Sequence, residues 1–160
     1  YIRSGDSNNA VKWRRSQLGK IQSETLAILN ANSDFYTAFA AGCAKSMQTL
    51  WSRDENITCI HPGWPPLRGQ DDVISSWQCI LSATPPMVAF SKATVHIHGN
   101  VGYVVCCEHL EPGMLIATNI FINEDNAWKM VHHQASIVPL NCDNDILNEI
   151  DEFDGPRTLQ

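Results

Sequence analysis

Apolar positions divide this chain into a helical first half and a strand-rich second half. From Ser23 to Ala41 apolar residues recur at Leu26, Ile28, Leu29, Phe35, Tyr36 and Phe39, the last three at helix-compatible spacing behind Ser33 or Asp34 as cap, and a break at Asn30 to Ser33 is expected to divide the stretch into two helices. Ala44 to Trp51 brings Met47, Leu50 and Trp51 to one side of a short helix before Ile57 to Ile60, a β-branched run that ends in His61-Pro62-Gly63. Gln70 to Leu81 places Val73, Ile74, Trp77, Ile80 and Leu81 on one helical face, and Pro85-Pro86 stops that helix. The pattern then changes to strands at about 88–98, 101–110, 114–123 and 127–138, separated by Gly99-Asn100, Pro112-Gly113 and Glu124-Asp125-Asn126. Such short turns make neighbouring strands antiparallel.

The ends lack this order. Residues 1–22 show no sustained apolar period and read as a polar, mobile lead-in; residues 140–160 form an acidic tail with Ile146, Leu147, Ile150 and Phe153 at helical spacing. The domain proper is therefore expected over residues 23–139. Helices segregated before a run of antiparallel strands predict an α+β domain with its helices on one sheet face.

Composition narrows the function classes. A chain of 160 residues with 44% hydrophobic and 18% charged residues has enough core for one domain. A net charge of -6 and a pI near 5.4 argue against nucleic-acid binding, which needs Lys and Arg to neutralise phosphates. Apolar runs are strand-sized, so no membrane span is expected. The chain starts at Tyr1 without an apolar signal core, which suggests an excised or processed form. Cys43, Cys59, Cys79, Cys106, Cys107 and Cys142 lie in apolar segments without paired metal spacing, so they are expected to be buried thiols of an intracellular, reducing compartment, the cytoplasm or an organelle reached through a removed targeting peptide.

Several segments together carry a family likeness. Phe35-Tyr36-Thr37-Ala38-Phe39-Ala40-Ala41-Gly42, Leu50-Trp51, Ile60-His61-Pro62-Gly63, Gly69, Ser76-Trp77 and the closing Trp128-Lys129-Met130-Val131-His132-His133-Gln134-Ala135-Ser136 resemble the nuclear transport factor two-like and SnoaL-like superfamily. The closing strand is similar to that of the calcium/calmodulin-dependent kinase association domain, and the His-Pro-Gly loop to that of plant-type members. The resemblance implies a cystatin-like cone: a curved antiparallel sheet wrapped around the N-terminal helices, a pocket inside, and an outer sheet face that pairs two subunits. The superfamily spans isomerases, cyclases, dehydratases, transport factors and assembly domains, so the site must decide the function.

By that resemblance His61 stands where isomerase-like enzymes carry an Asp general base, and a histidine there is suited to proton abstraction near neutral pH. Phe35 falls at or beside the family's tyrosine with Tyr36 next to it, and Thr118 falls near its second acid. Two of the three isomerase roles are thus unfilled, and steroid isomerisation is not expected. The implied pocket lining is Tyr36, Trp51, His61, Trp64, Trp77, His109, Thr118 and His132, with Trp64 near the cone mouth. His132 and His133 are adjacent on one strand and must face opposite ways, so one of the two lines the pocket. Glu108 is a mid-strand carboxylate; turned inward it would be a base with a raised pKa, but the commoner orientation, toward solvent or a partner subunit, is expected here. His96 with His98, and Tyr103 with Cys107 and His109, share strand faces without recognised ligand spacing, so neither a metal nor a cofactor is expected.

The functional expectation is a non-catalytic, pocket-bearing module for protein association or small-ligand binding, dimeric or part of a larger assembly. The alternative is a SnoaL-like enzyme acting on a small apolar carbonyl compound, with His61 as base and Tyr36 or His132 as polarising donor.

Overall fold

The computed structural model describes residues 5–83, 87–110 and 113–138, with the backbone alone for residues 5–8. The stop at Pro85-Pro86, Pro112 of the second turn, Cys142 and the acidic tail lie outside the described residues.

The first helix, α1, runs unbroken from Gly5 to Ala40, so the lead-in is helical and the break at Asn30 to Ser33 is absent. The reason is propensity rather than amphipathicity. Ala10, Lys12, Arg14, Arg15, Gln17, Leu18 and Lys20 are strong helix formers, which sustain a helix whose side chains are almost all exposed through Ser23. Lys20 and Glu24 add an i,i+4 ion pair at 3.9 Å, worth about 0.3–0.5 kcal/mol at such an exposed site. No Gly or Pro interrupts the Asn30–Ser33 stretch, and Asn32 is fully buried with a side-chain partner on the sheet. Gly42 ends the helix at φ 61°; Cys43 N–H donates to Ala38 O and Gly42 N–H to Phe39 O, both at 3.0 Å, a Schellman closure that satisfies two of the last carbonyls.

A short α2 (Ala44–Leu50) follows, then β1 (Thr58–Ile60), β2 (Leu67–Arg68), α3 (Gly69–Ser82) and four long strands: β3 (Ala89–His98), β4 (Val101–Leu110), β5 (Gly113–Glu124) and β6 (Ala127–Ile137). The six strands form one curved, unclosed sheet in the order β2-β1-β6-β5-β4-β3. It is mixed, not wholly antiparallel: β1 lies parallel to β6, with Thr58 opposite His132 and Ile60 opposite Gln134. The turns between β3 and β6 dictate antiparallel neighbours, but β1 reaches β6 only through α3 and the whole meander, so no hairpin constrains its direction.

Inward residues of the sheet, including Val104, Cys106, Ala117, Phe121, Met130 and Ala135, pack against Ile28, Phe35, Tyr36 and Phe39 of α1 and Val73, Trp77 and Leu81 of α3. On the opposite sheet face Val105, Ile116, Thr118 and Ile120 are only partly buried. Among the described residues no helix is long and apolar enough to cross a membrane. Of the thiols, Cys59, Cys106 and Cys107 are buried as expected, whereas Cys43 is half-buried and Cys79 exposed, because α3 turns Cys79 away from the core; none of these five is in a disulfide.

Gly102 marks the closest approach of α1 to the sheet. A Cβ there would lie 2.4 Å from Ile28 Cδ1 and 3.4 Å from Trp128 Cζ3. Ile28 is fully buried and has little room to move. Gly102→Ala is expected to cost about 1–3 kcal/mol through overpacking, read as a lower midpoint in urea with an unchanged slope.

Candidate functional site

Asn32, Phe35 and Tyr36 occupy one face of α1 at i, i+3 and i+4, over the inner face of the sheet. β4 contributes Cys106 and Glu108, β5 Asn119, and β6 His133. Asn32 and Asn119 are fully buried, and Tyr36, Glu108 and His133 are 2–3% exposed.

These groups form a directional hydrogen-bond chain. Asn119 Nδ2 donates to Asn32 Oδ1 at 2.8 Å and, more weakly, to the Tyr36 hydroxyl oxygen at 3.3 Å. The other Asn119 atom, Oδ1, must then accept, so His133 at 2.6 Å is assigned as the tautomer protonated on Nδ1. Tyr36 in turn donates its hydroxyl to Glu108 Oε1 at 2.7 Å, with Cys106 Sγ 3.3 Å from the same oxygen. The chain ends on a carboxyl that has no cationic partner among the described residues. Burial pushes Glu108 above the usual carboxylate range, and the Tyr36 hydrogen bond pulls it part of the way back. Tyr36 is raised as well, first by burial and then by the neighbouring carboxylate, so its proton stays in place.

A second polar group lies beside the first. His61, at the end of β1, is 5% exposed and 2.9 Å from Ser76 Oγ through Nε2. The single hydrogen of Ser76 goes to Val73 O at 2.7 Å, so the serine oxygen accepts and His61 is assigned as protonated on Nε2. Burial lowers the His61 pKa to about 4. His133 falls to about 3, chiefly by burial, with smaller contributions from His61 and His132. Both rings are therefore neutral at pH 7. Aromatic edges enclose them: Trp77 lies 4.8 Å from His61 and 5.7 Å from His133, and Phe35 lies 5.0 Å from His133. The indole N–H of Trp77 and Nδ2 of Asn32 make no hydrogen bond of ordinary geometry to a described residue, although the sulfurs of Cys59 and Cys106 feel them electrostatically. Burial raises those two thiols to about 12 and about 11, which leaves them protonated and poor nucleophiles.

Of the residues expected to line the pocket, Tyr36, His61 and Trp77 come together inside, and Trp64, 44% exposed in the proline-rich loop, stands edge-on over His61 at 5.1 Å. The others do not join them. Trp51 is buried farther along β6, where it bridges to Met130. His109 is exposed and bonded to Ser91, because its strand neighbour Glu108 takes the inward position. Thr118 points to the outer face and Asn119 inward, a shift of one residue from the expected position. His132 also faces outward, against Thr58 at 2.6 Å, and His133 faces inward.

The choice between the two histidines is made by a β-bulge. Ile120 pairs with His132 while the next residue, Phe121, pairs with Met130, so Val131 is the extra residue and the alternation of β6 slips by one after Met130. The expected outward orientation of Glu108 is likewise corrected: β4 keeps an unbroken register with β5, so Glu108 shares a face with Val104 and Cys106. Asn32 and Asn119 escaped sequence reasoning altogether. The available signal was Asn32 on the same helical face as Ile28 and Phe35, a polar residue where an apolar one is the rule.

Helices laid into a curved mixed sheet, with polar groups gathered on its inner face, define a class of small cone-shaped α+β domains. The SnoaL-like domain family matches residues 28–141, and the chain belongs to that family. A solved protein from Streptomyces avermitilis, described as a candidate dehydratase of the NTF2-like family, is 26% identical with a TM-score of 0.68, covering 74% of this chain and 98% of its own. A candidate calcium/calmodulin-dependent protein kinase type II association domain from Thiobacillus denitrificans is 29% identical with a TM-score of 0.63, covering 68% and 93%. Among curated proteins, the F-box protein SKIP8 of Arabidopsis thaliana is 29% identical over 118 residues, 71% of this chain and 51% of that protein, so the chain spans about half the length of this relative.

Proposed function

We propose that this domain is a binding module whose interior receives the polar end of a small, uncharged and otherwise apolar molecule. The supporting observation is the buried chain from His133 through Asn119 and Tyr36 to Glu108. Holding a carboxyl away from water without a cation costs several kcal/mol, and apolar side chains of similar size would stabilise the core better. Such a group is a functional-site candidate on physical grounds. With both histidines neutral and the carboxyl raised, the interior matches a hydroxyl or carbonyl better than an ion. Trp64, exposed and edge-on to His61, stands at the outer edge of this group.

The partly buried outer sheet face supports pairing with a second copy, which sedimentation equilibrium tests directly. The relative named as an F-box protein is about twice the matched length, which supports an association role within a longer chain.

A second reading, catalysis on a small carbonyl compound, is favoured by the same carboxyl. In that reading Glu108 rather than His61 is the proton acceptor, because His61 at about 4 is a weak base at pH 7 and Glu108 is raised toward the working range. The likeness to a candidate dehydratase is consistent with it.

Native mass spectrometry of protein purified from its source is expected to reveal a bound neutral molecule. Tyr36→Phe should weaken binding of that molecule about tenfold, which corresponds to about 1.4 kcal/mol for the loss of one buried hydrogen bond. It should also raise the Glu108 pKa further, because the Tyr36 hydrogen bond now lowers it. An empty protein whose Tyr36→Phe variant behaves as wild type toward candidate ligands would sink the binding proposal. Conversion of the bound molecule, lost in Glu108→Gln, would establish the catalytic reading instead.

A further inference from the structure

A cleft lies where the last turn of α2, the segment after it, the start of α3 and the β5–β6 turn converge. It has a volume of about 570 Å³ and is lined by residues including Trp51, Arg53, Gln70, Glu124, Asp125 and Lys129. Along β6 it belongs to the Ala127 end, whereas the interior hydrogen-bond chain is anchored at His133.

Its floor is tied together by Ser52, which is fully buried. Ser52 N–H donates to Met130 O at 2.8 Å, its hydroxyl donates to Glu124, its carbonyl accepts from Gln70 Nε2, and Asp54 N–H donates back to its hydroxyl at 3.0 Å. Four separate segments are thereby held in one geometry, and this pre-organisation lowers the cost of binding. Lys129 is also fixed, with Nζ donating to Thr49 O at 2.7 Å.

Two of the four rim charges have no internal partner. Among the described residues neither Arg53 nor Asp125 has a side-chain hydrogen bond or ion pair, and the buried indole N–H of Trp51 has no acceptor. Asp125 is held at φ 51° by the tight turn, a conformation that few residues other than Gly, Asn and Asp adopt readily. A simple anion entering this cleft meets Glu124 and Asp125, and a simple cation meets Arg53 and Lys129. A molecule carrying both signs complements all four.

The structure assigns this cleft as a binding site for a small zwitterion of dipeptide type, its carboxylate against Arg53 and its ammonium against Asp125 and the free oxygen of Glu124. The volume is in the range of ordinary small-molecule sites.

Isothermal titration of the full chain with the zwitterionic dipeptide alanyl-alanine, and with its N-acetylated and C-amidated forms, tests this. The free dipeptide is expected to bind, and each blocked form to bind at least about tenfold more weakly. Arg53→Ala and Asp125→Asn alter exposed side chains, the second keeping a residue tolerant of the turn, and each should weaken the free dipeptide by a similar factor. Tyr36→Phe should leave its binding unchanged. Absence of binding by the free dipeptide, equal binding of the blocked forms, or indifference to both rim substitutions overturns the assignment. Loss of binding in Tyr36→Phe also overturns it, since the ligand would then occupy the interior.

Discussion

Replacing Trp77 with alanine is expected to remove about 3–5 kcal/mol of stability, the range for deleting a large buried aromatic side chain. Trp77 is 1% exposed, and its ring meets Phe35 at 5.3 Å, Phe39 at 5.2 Å and His61 at 4.8 Å. These edge-to-face contacts join α1, α3 and the end of β1, so no one element can move to fill the space without dragging the others. The indole N–H makes no ordinary hydrogen bond, so its removal offsets little of the loss. A domain of this size should melt roughly 8–15 °C lower by calorimetry. Trp13→Ala is the matched control: Trp13 is 64% exposed on α1 and its loss should change stability by no more than about 0.5 kcal/mol. Equal melting shifts for the two variants would contradict the packing described for α3.

Acid should begin to destabilise the domain well above the pH at which ordinary carboxylates titrate. His61 and His133 have folded pKa values of about 4 and about 3, below the ordinary histidine value of 6.5. Between those values and 6.5 the unfolded chain binds more protons than the folded one, so stability is complete above pH 6.5 and falls as the pH is lowered. Each histidine contributes at most about 1.4 kcal/mol per pH unit in that window, about 2.7 together. Glu108 acts in the opposite direction. Its folded pKa is raised, so the folded state holds that proton longer, and acidification through its range recovers up to about 1.4 kcal/mol per unit. Over pH 6.5 to 4.5 the two histidines together lose about 4 kcal/mol at most and Glu108 offsets part of it, so the net loss is a few kcal/mol, a large share of a small domain's stability. Urea unfolding at one-unit steps from pH 7.5 to 4.5 measures the slope, and His133→Gln should flatten it. A stability independent of pH over this range would mean that both rings reach water in the folded protein.

The chemistry of the interior explains why the site was only half legible in the sequence. Tyr36, His61 and Trp77 are reached through the family resemblance, whose motifs lie in single stretches of chain and need no reference to other elements. Glu108 was visible as an oddity, a carboxylate in mid-strand, but its direction depends on register, and both faces of β4 offer partly apolar neighbours. Asn119 was missed in favour of Thr118 because counting from a turn is good only to about one residue, and in a strand one residue is the other face.

Local spacing, turn residues and hydrophobic periodicity act within short stretches of chain, so the sequence foretells the order of helices, strand, helix and four strands, the antiparallel meander from β3 to β6 and the core face of α3, and its motifs carry the family resemblance; the short β2 is not foretold. Only the tertiary structure decided that α1 is continuous through Asn32, that β1 runs parallel to β6, that a bulge at Val131 turns His133 rather than His132 inward, and that Glu108 closes a buried hydrogen-bond chain. Each of these depends on pairing between residues far apart in sequence, and a slip of one position reverses the face on which a side chain lies.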